Sequence, residues 1–281
     1  MKKNFKEGIV FGSSGLIGSS LIKLEKKKFV YSSRKKIKLK KIKWTKFTTN
    51  SKKISRKNYL IGIFLCSPRY IKKNFKSKIL NKELILLKKI LEIYKFEKFI
   101  YLSSSTVYQA NNPLGKIKKK CEIFLKKKSN LFKYLQIWRP YNLVGYNQIT
   151  LSDHFHNKLF KIFFINRKKT YFFYGNKNDQ RGYSDVDEFA QNLLFFLKKN
   201  KSFIKNFGNK NTIKINQIVN LYNKEYFRIY KKFFSAYFLN KKSNINSISN
   251  NNRLSIFSKK TNESVFKNYL KNMIKIYNIA K

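Results

Sequence analysis

Apolar residues along the chain arrive in two rhythms. Gly8 to Phe11, Tyr59 to Cys66 (YLIGIFLC) and Lys98 to Ser103 (KFIYLS) are short unbroken runs, the pattern of strands covered on both faces. Leu80 to Tyr94 (LNKELILLKKILEIY) and Lys116 to Lys127 instead space their apolar residues at helical intervals, as does SSLIKLEKKK after the first run. FVYSSRKK reads as a second strand ending at Ser32, Ser33 and Arg34. Ile37 to Phe47 holds a short irregular third strand, and Tyr134 to Trp138 a later one. Strands alternating with helices predict an α/β protein with a doubly wound parallel sheet, which gathers its ligands at the carboxyl ends of the strands.

Beyond about residue 145 the alternation becomes irregular. Phe189 to Lys198, Ile215 to Tyr222 and Glu263 to Tyr277 read as helices, and Ser243 to Asn252 as a polar linker. The aromatic segment KLFKIFFINRKKTYFFYG, Lys158 to Gly175, reads as a helix followed by the strand before the Arg181 loop, covering a substrate cleft, rather than as a membrane-facing amphipathic patch. The expected division is a nucleotide-binding domain over 1–145, to which 173–198 returns, and a smaller C-terminal α/β substrate-binding part over 146–281.

Composition then narrows the class. With 64 Lys plus Arg against 13 Asp plus Glu the formal charge is +51, yet 42% hydrophobic and 17% aromatic residues are enough to build a core. The enriched Lys, Asn, Ile, Phe and Tyr share A/T-rich codons, so base composition accounts for the charge without a selected partner. The lysines are spread along the chain, and no nucleic-acid-binding module is present, so no specific nucleic-acid partner is expected. The runs Lys26 to Lys28, Lys118 to Lys120 and Lys126 to Lys128 read as solvated helix faces. No stretch reaches the roughly 18 apolar residues of a membrane span. The N-terminus carries no secretory signal pattern, and Cys66 and Cys121 make no disulfide framework; a cytoplasmic location is expected.

The first forty residues carry the strongest chemical signal. GSSGLIG, Gly12 to Gly18, sits between a strand and a helix, the order a Rossmann-type dinucleotide site requires. Gly12 would permit the tight turn, Gly15 the approach of a pyrophosphate, and Gly18 close packing of helix on strand. Ser14, Leu16 and Ile17 complete the cradle, with the helix N-terminus facing the phosphates. The spacing is G-x-x-G-x-x-G, one residue longer than the common fingerprint. No Asp or Glu occurs between Glu25 and Glu83 to hold a ribose 2′-hydroxyl, whereas Arg34 suits a 2′-phosphate. The cofactor is therefore NADP or NAD, with NADP preferred.

YLSSSTVY at Tyr101 to Tyr108 resembles a segment of the extended short-chain dehydrogenase/reductase superfamily, the NAD-dependent epimerase/dehydratase group that modifies nucleotide sugars. GIVFGSSGLIG is similar to its opening turn, and IFLCS, with Cys66, to its fourth-strand segment beside the cofactor. WRPYNLVG at Trp138 to Gly145, FYGNKNDQRGYSDVDEFAQNL at Phe173 to Leu193 and NFGNKNTIKINQIV at Asn206 to Val219 follow in the superfamily's order. The resemblance implies Ser104 as the hydroxyl that orients substrate, Lys118 as the lysine on the nicotinamide ribose, and Asn142 and Arg181 as ligands of the substrate diphosphate. It also implies that Asp187 caps a helix beginning near Glu188.

One position departs. NPLGKIKKKCE is similar to the superfamily's Pro-Tyr-Gly-x-x-Lys-x-x-x-Glu, and Leu114 falls where the acid/base tyrosine is expected. Tyr108 or Tyr141 could substitute, the shortened loop from Ser104 to Leu114 could displace the correspondence, or the protein could bind nucleotide without turnover. Ser105 and Thr106 stand where 4,6-dehydratases carry an Asp-Glu pair, which argues against dehydration. The resemblance thus implies an NAD(P)-dependent nucleotide-sugar epimerase or 4-keto-sugar reductase with an altered active site, or else an inactive nucleotide-binding sensor or scaffold. The superfamily's dimerisation through this helix is disfavoured by the lysines from Lys118 to Lys128. His154 and His156 lack further ligands for a metal, and Trp44 and Trp138 read as packing residues.

Overall fold

A computed structural model describes residues 6–33, 42–46, 57–67, 77–145, 154–239 and 253–279. Strand β1 (Lys6–Phe11) leads through the glycine turn into α1 (Leu16–Leu24) and β2 (Val30–Ser33), beside which lies β3 (Lys43–Lys46). Then follow β4 (Lys57–Phe64), α2 (Ser77–Ile93), β5 (Tyr94–Leu102), a 3₁₀ turn (Ser105–Tyr108), α3 (Pro113–Lys127), β6 (Tyr134–Pro140) and β7 (Leu143–Val144). Next come α4 (Phe155–Phe160), β8 (Thr170–Tyr174), β9 (Gln180–Arg181), β10 (Ser184–Asp185), α5 (Val186–Leu197), β11 (Phe203–Gly208) and β12 (Ile213–Lys214). The chain closes with α6 (Ile215–Tyr230), β13 (Ser235–Leu239), β14 (Ile256–Phe257) and α7 (Asn262–Ile276).

Eight strands form one sheet in the order β14-β11-β6-β5-β4-β1-β2-β3. Crossover helices enforce parallel pairing: Ile9 lies opposite Val30 and Gly62, and Ile63 opposite Ile100. This is the Rossmann-type α/β sheet that the alternation of runs predicts. Phe96 shows how so aromatic a chain packs it, because its ring lies where a side chain on Gly62 of the neighbouring strand would stand.

The chain divides into two compact units, Met1–Pro140 with Ala190–Asn206, and Tyr141–Phe189 with Phe207–Lys281. The first is built on Phe11, Phe64, Phe99, Tyr101, Ile117 and Leu125; the second on Phe160, Phe163, Tyr222, Phe266 and Leu270. Among the described residues no helix is long and apolar enough to cross a membrane.

Several elements differ from the sequence reading. β5 begins at Tyr94 rather than Lys98, because α2 runs into it without a breaker and buried Tyr94 and Phe96 join the core. α6 continues to Tyr230, and α5 starts at Val186. Asp187 therefore lies inside α5, and the cap is Asp185, whose Oδ1 accepts the Glu188 N–H at 3.0 Å. Lys118 does not belong to a solvated face: it is buried, with an acid placed to receive it. Lys26 to Lys28 form a turn beyond α1, not a helix face. Lys158 to Gly175, by contrast, is as expected a helical segment followed by β8. Arg34 and Ser243 to Asn252 lie outside the described residues.

Candidate functional site

The glycine turn is built from backbone. Gly12 has φ of +82°, in the region that favours glycine, and a Cβ there would come within about 3 Å of Cys66 N and Leu65 C at the end of β4. The N–H groups of Gly12 and Ser13 both donate to the Ser32 carbonyl, at 3.0 and 3.2 Å, and Ser13 Oγ donates to it at 2.9 Å. The end of β2 thereby fixes the turn. Gly18 faces Ser13, whose carbonyl oxygen would lie 2.4 Å from a Cβ, so α1 packs on the turn at a distance only glycine permits. Gly15 is different: it is exposed, has an ordinary φ, and a Cβ would meet only Gly12 O, at 3.3 Å.

Gly15 is the N-cap of α1 and offers no side chain to it, so the N–H groups of the first turn, from Leu16 to Gly18, have no intrahelical acceptor. Their partial positive charge, joined to the open approach at Gly15, suits an anionic diphosphate. Cys66 is half-buried with its Sγ against Gly12, Ser14 is exposed, and Ile17 is buried beneath the turn. Trp44 Nε1 donates to Ser33 Oγ at 2.9 Å.

The second cluster lies where β5 ends and α3 begins. Ser104 caps the 3₁₀ turn, and its Oγ accepts from Thr106 N at 3.2 Å and Thr106 Oγ1 at 3.0 Å. Both bonds use Ser104 as acceptor, which leaves its own proton to donate. Asn112 caps α3 by accepting the Gly115 N–H at 3.1 Å, and Pro113 takes the first helical position. A Cβ on Gly115 would lie 2.0 Å from the Thr106 carbonyl, so the turn bearing Ser104 and the helix bearing Lys118 are fitted closely together.

Lys118 points into the core. Its Nζ donates to Glu83 Oε1 at 2.7 Å and to the Leu102 carbonyl at 2.8 Å, and lies 5.2 Å from the centre of the Tyr101 ring. Glu83, whose side chain is wholly buried, also accepts from Tyr101 OH at 2.8 Å and from Ser67 Oγ at 3.2 Å. Two of the three ammonium hydrogens are thus committed internally. Burial and the Glu83 charge push the Tyr101 phenol well above its usual range and the Cys121 thiol up to about 12. Glu83 was invisible as a partner because it lies 35 residues from Lys118, yet it is the first acid after Glu25 in a lysine-rich stretch, which marks it as reserved for something.

Leu114 is partly buried and packs on the core of this unit, so no phenol occupies its position. Tyr108 does not take its place freely: its OH accepts from Arg139 Nη1 at 2.7 Å and donates to Asn206 Oδ1 at 3.0 Å. Arg139 in turn forks onto Glu122, with Nε to Oε1 at 2.8 Å and Nη2 to Oε2. Those bonds, above all the one to Glu122, raise the guanidinium further above its ordinary value.

In the second unit, Tyr141 is buried, while Asn142 Nδ2 donates to the Gly182 carbonyl at 3.0 Å, so Asn142 is tied to the residue after Arg181. Arg181 is half-buried, its Nε enclosed without a hydrogen-bond partner and its guanidinium beside Tyr183. His154 and His156 stack 5.8 Å apart, and His156 is enclosed by Tyr183, Phe266 and Tyr269. Among the described residues no three metal-ligating side chains converge.

The chain resembles solved structures over almost its whole length. MoeE5 in complex with UDP-glucose and NAD superposes with a TM-score of 0.73 at 13% identity, covering 96% of this chain and 99% of that one. The UDP-N-acetylglucosamine 4-epimerase of Methanobrevibacter ruminantium, bound to UDP-N-acetylmuramic acid, gives 0.71 at 18%, covering 98% of each. RMD from Pseudomonas aeruginosa, complexed with NADPH, gives 0.64 at 15%, covering 95% and 99%. These identities establish a shared fold. No family model matches the chain, and neither does any curated protein.

Proposed function

We propose that the chain belongs to the extended short-chain dehydrogenase/reductase superfamily. In this reading it binds a nicotinamide dinucleotide at Gly12 to Gly18 and acts on a nucleotide sugar as an epimerase or 4-keto-sugar reductase with an altered acid/base site. The observation that carries it is the glycine turn, where positive φ at Gly12, the close approach at Gly18 and the open face at Gly15 meet the three demands of a diphosphate on a helix N-terminus. When bound, the nicotinamide supplies hydride transfer with a sugar carbon. Ser104 Oγ would orient the sugar hydroxyl, the remaining hydrogen of Lys118 Nζ would reach a ribose hydroxyl, and Arg181 with Asn142 would hold the sugar's diphosphate. Arg34 would favour NADP over NAD, as the absence of an acid after β2 suggests.

Titration calorimetry with NADPH and NADH tests this. The protein is expected to bind at least one of them, and Gly15→Val to lose binding while melting at the same temperature. Failure of the unaltered protein to bind either would remove the proposal.

A second reading, a nucleotide-binding member without turnover, is favoured by one specific observation. Glu83 draws the Lys118 ammonium inward while Leu114 offers no proton to transfer. Interconversion of UDP-glucose and UDP-galactose, or NADPH-dependent reduction of a 4-keto-sugar nucleotide, by the unaltered protein would exclude it.

A further inference from the structure

In the second unit, β8 and β13 form a two-stranded parallel sheet in register from Thr170 opposite Ser235 to Tyr174 opposite Leu239. Parallel strands are ordinarily covered on both faces. Here one face is covered: Tyr171, Phe173, Ala236 and Phe238 pack on the core of the unit. The other face is exposed to solvent. Phe172, Tyr174, Tyr237 and Leu239 are 53%, 74%, 52% and 43% exposed, and Phe233, just before β13, is 67% exposed. Period-two alternation puts large apolar groups on both faces, so this surface is not the polar outer side of an ordinary strand pair.

Cations gather at one end of it. Because the strands are parallel, the residues entering both lie at the same end: Arg167, Lys168 and Lys169 before β8, Lys231 and Lys232 before β13, all exposed. Ser235 N donates to the Lys169 carbonyl at 2.8 Å and ties the two approaches together. The sequence carries no Asp or Glu from 154 to 178 or from 226 to 262, so no acid within either segment neutralises these cations. The ring arrangement narrows the occupant. Phe172 stacks on Tyr237 at 5.2 Å, and Phe227 on Phe233 at 4.6 Å, so each ring already covers one face of a neighbour. Such pairs make poor platforms for successive bases, and Leu239 offers no stacking face at all. Apolar groups beside a cationic edge match the boundary between acyl chains and anionic headgroups.

We propose that the outer face of β8 and β13 docks on an anionic lipid bilayer, the aromatic residues entering the interface and the Arg167 to Lys169 and Lys231 to Lys232 clusters meeting the headgroups. This surface lies in the second unit and shares no residue with the glycine turn. The test compares the protein with the Phe172→Ser/Tyr174→Ser/Tyr237→Ser/Leu239→Ser variant, whose net charge is unchanged, by sedimentation with phosphatidylserine-containing phosphatidylcholine vesicles and by binding to polyuridine RNA. The expected result is a loss of vesicle affinity on the order of tenfold or more, with RNA affinity retained. Unchanged vesicle affinity, or a loss confined to RNA or equal for both, would overturn the proposal. Should that variant fail to fold, Tyr237→Trp supplies the readout: its added fluorescence should shift to the blue on these vesicles and be quenched by brominated acyl chains. An unshifted, unquenched emission overturns the proposal equally.

Discussion

The glycine turn and the start of α3 lie in one unit and make opposite demands on the sequence. The turn works through backbone, and each of its constraints is met by the absence of a side chain at Gly12, Gly15 or Gly18. The start of α3 must work through side chains, and there the decisive ones are a leucine and a lysine turned toward Glu83. On the proposed reading, binding a dinucleotide and moving a proton are therefore separable. The fold protects the first through packing, since a residue other than glycine at position 18 collides with Ser13. On the same reading the fold does not protect the second, since Leu114 packs against the core at the position proposed for a phenol.

The contrast can be broken most strongly at Leu114. Leu114→Tyr restores a proton donor and acceptor, and should raise nucleotide-sugar turnover over the unaltered protein by about 10²–10⁴-fold. Steady-state kinetics in which turnover stays flat while dinucleotide still binds would shift the limitation from the missing phenol to the Glu83 pairing. Glu83 is the next lever. Glu83→Ala leaves the Lys118 ammonium buried without its partner and should cost about 3–5 kcal/mol in denaturant unfolding. A change near zero would mean that Lys118 swings outward once released.

His156, in the second unit, makes stability depend on acid. Burial, with a smaller contribution from His154, lowers its pKa from 6.5 to about 3. Protonation accordingly favours the unfolded chain. The contribution is complete above the ordinary imidazole range and is lost as pH falls from there toward the folded value, by a few kcal/mol in all. His156→Phe should flatten the thermal-melting curve between neutral and mildly acidic pH, and an unchanged slope would place the titrating group elsewhere. The smallest effect sharpens the turn itself: Gly18→Ala should destabilise by about 1–3 kcal/mol through overpacking, and Gly15→Ala by far less. Equal melting temperatures for the two variants would contradict the different surroundings of these glycines.

The turn was legible because its information is local: three glycines at fixed spacing between a strand run and a helical run. The alternation that fixed the sheet was legible for the same reason. What escaped was set at a distance. The Lys118 to Lys120 run looks solvated until Glu83 is brought beneath it from α2. Asp187 looks like a cap because the apolar rhythm becomes plain only at Phe189, two residues after the aspartate and three after Val186, where α5 starts. Tyr94 looks like a helix end, and Phe96 falls between helix and strand, because nothing in the sequence punctuates the passage from α2 to β5. The exposed face of β8 lies in a segment where the sequence reading sets a membrane-facing patch aside, because period two alone does not say which of two apolar sets faces the core.

Glu83, Glu122, Asp185 and Glu188 are buried, four of only 13 acids in a chain with 64 cationic side chains, of which the buried ones described are Lys98, Lys118 and Arg139. Folding thus withdraws scarce anions from the exterior of a chain whose formal charge is +51. Such a particle behaves as a colloid held back by its own charge. Added electrolyte should shield that repulsion over about 8 Å at physiological strength and raise the melting temperature, so that salt acts on this protein as a stabiliser rather than as a competitor for ion pairs.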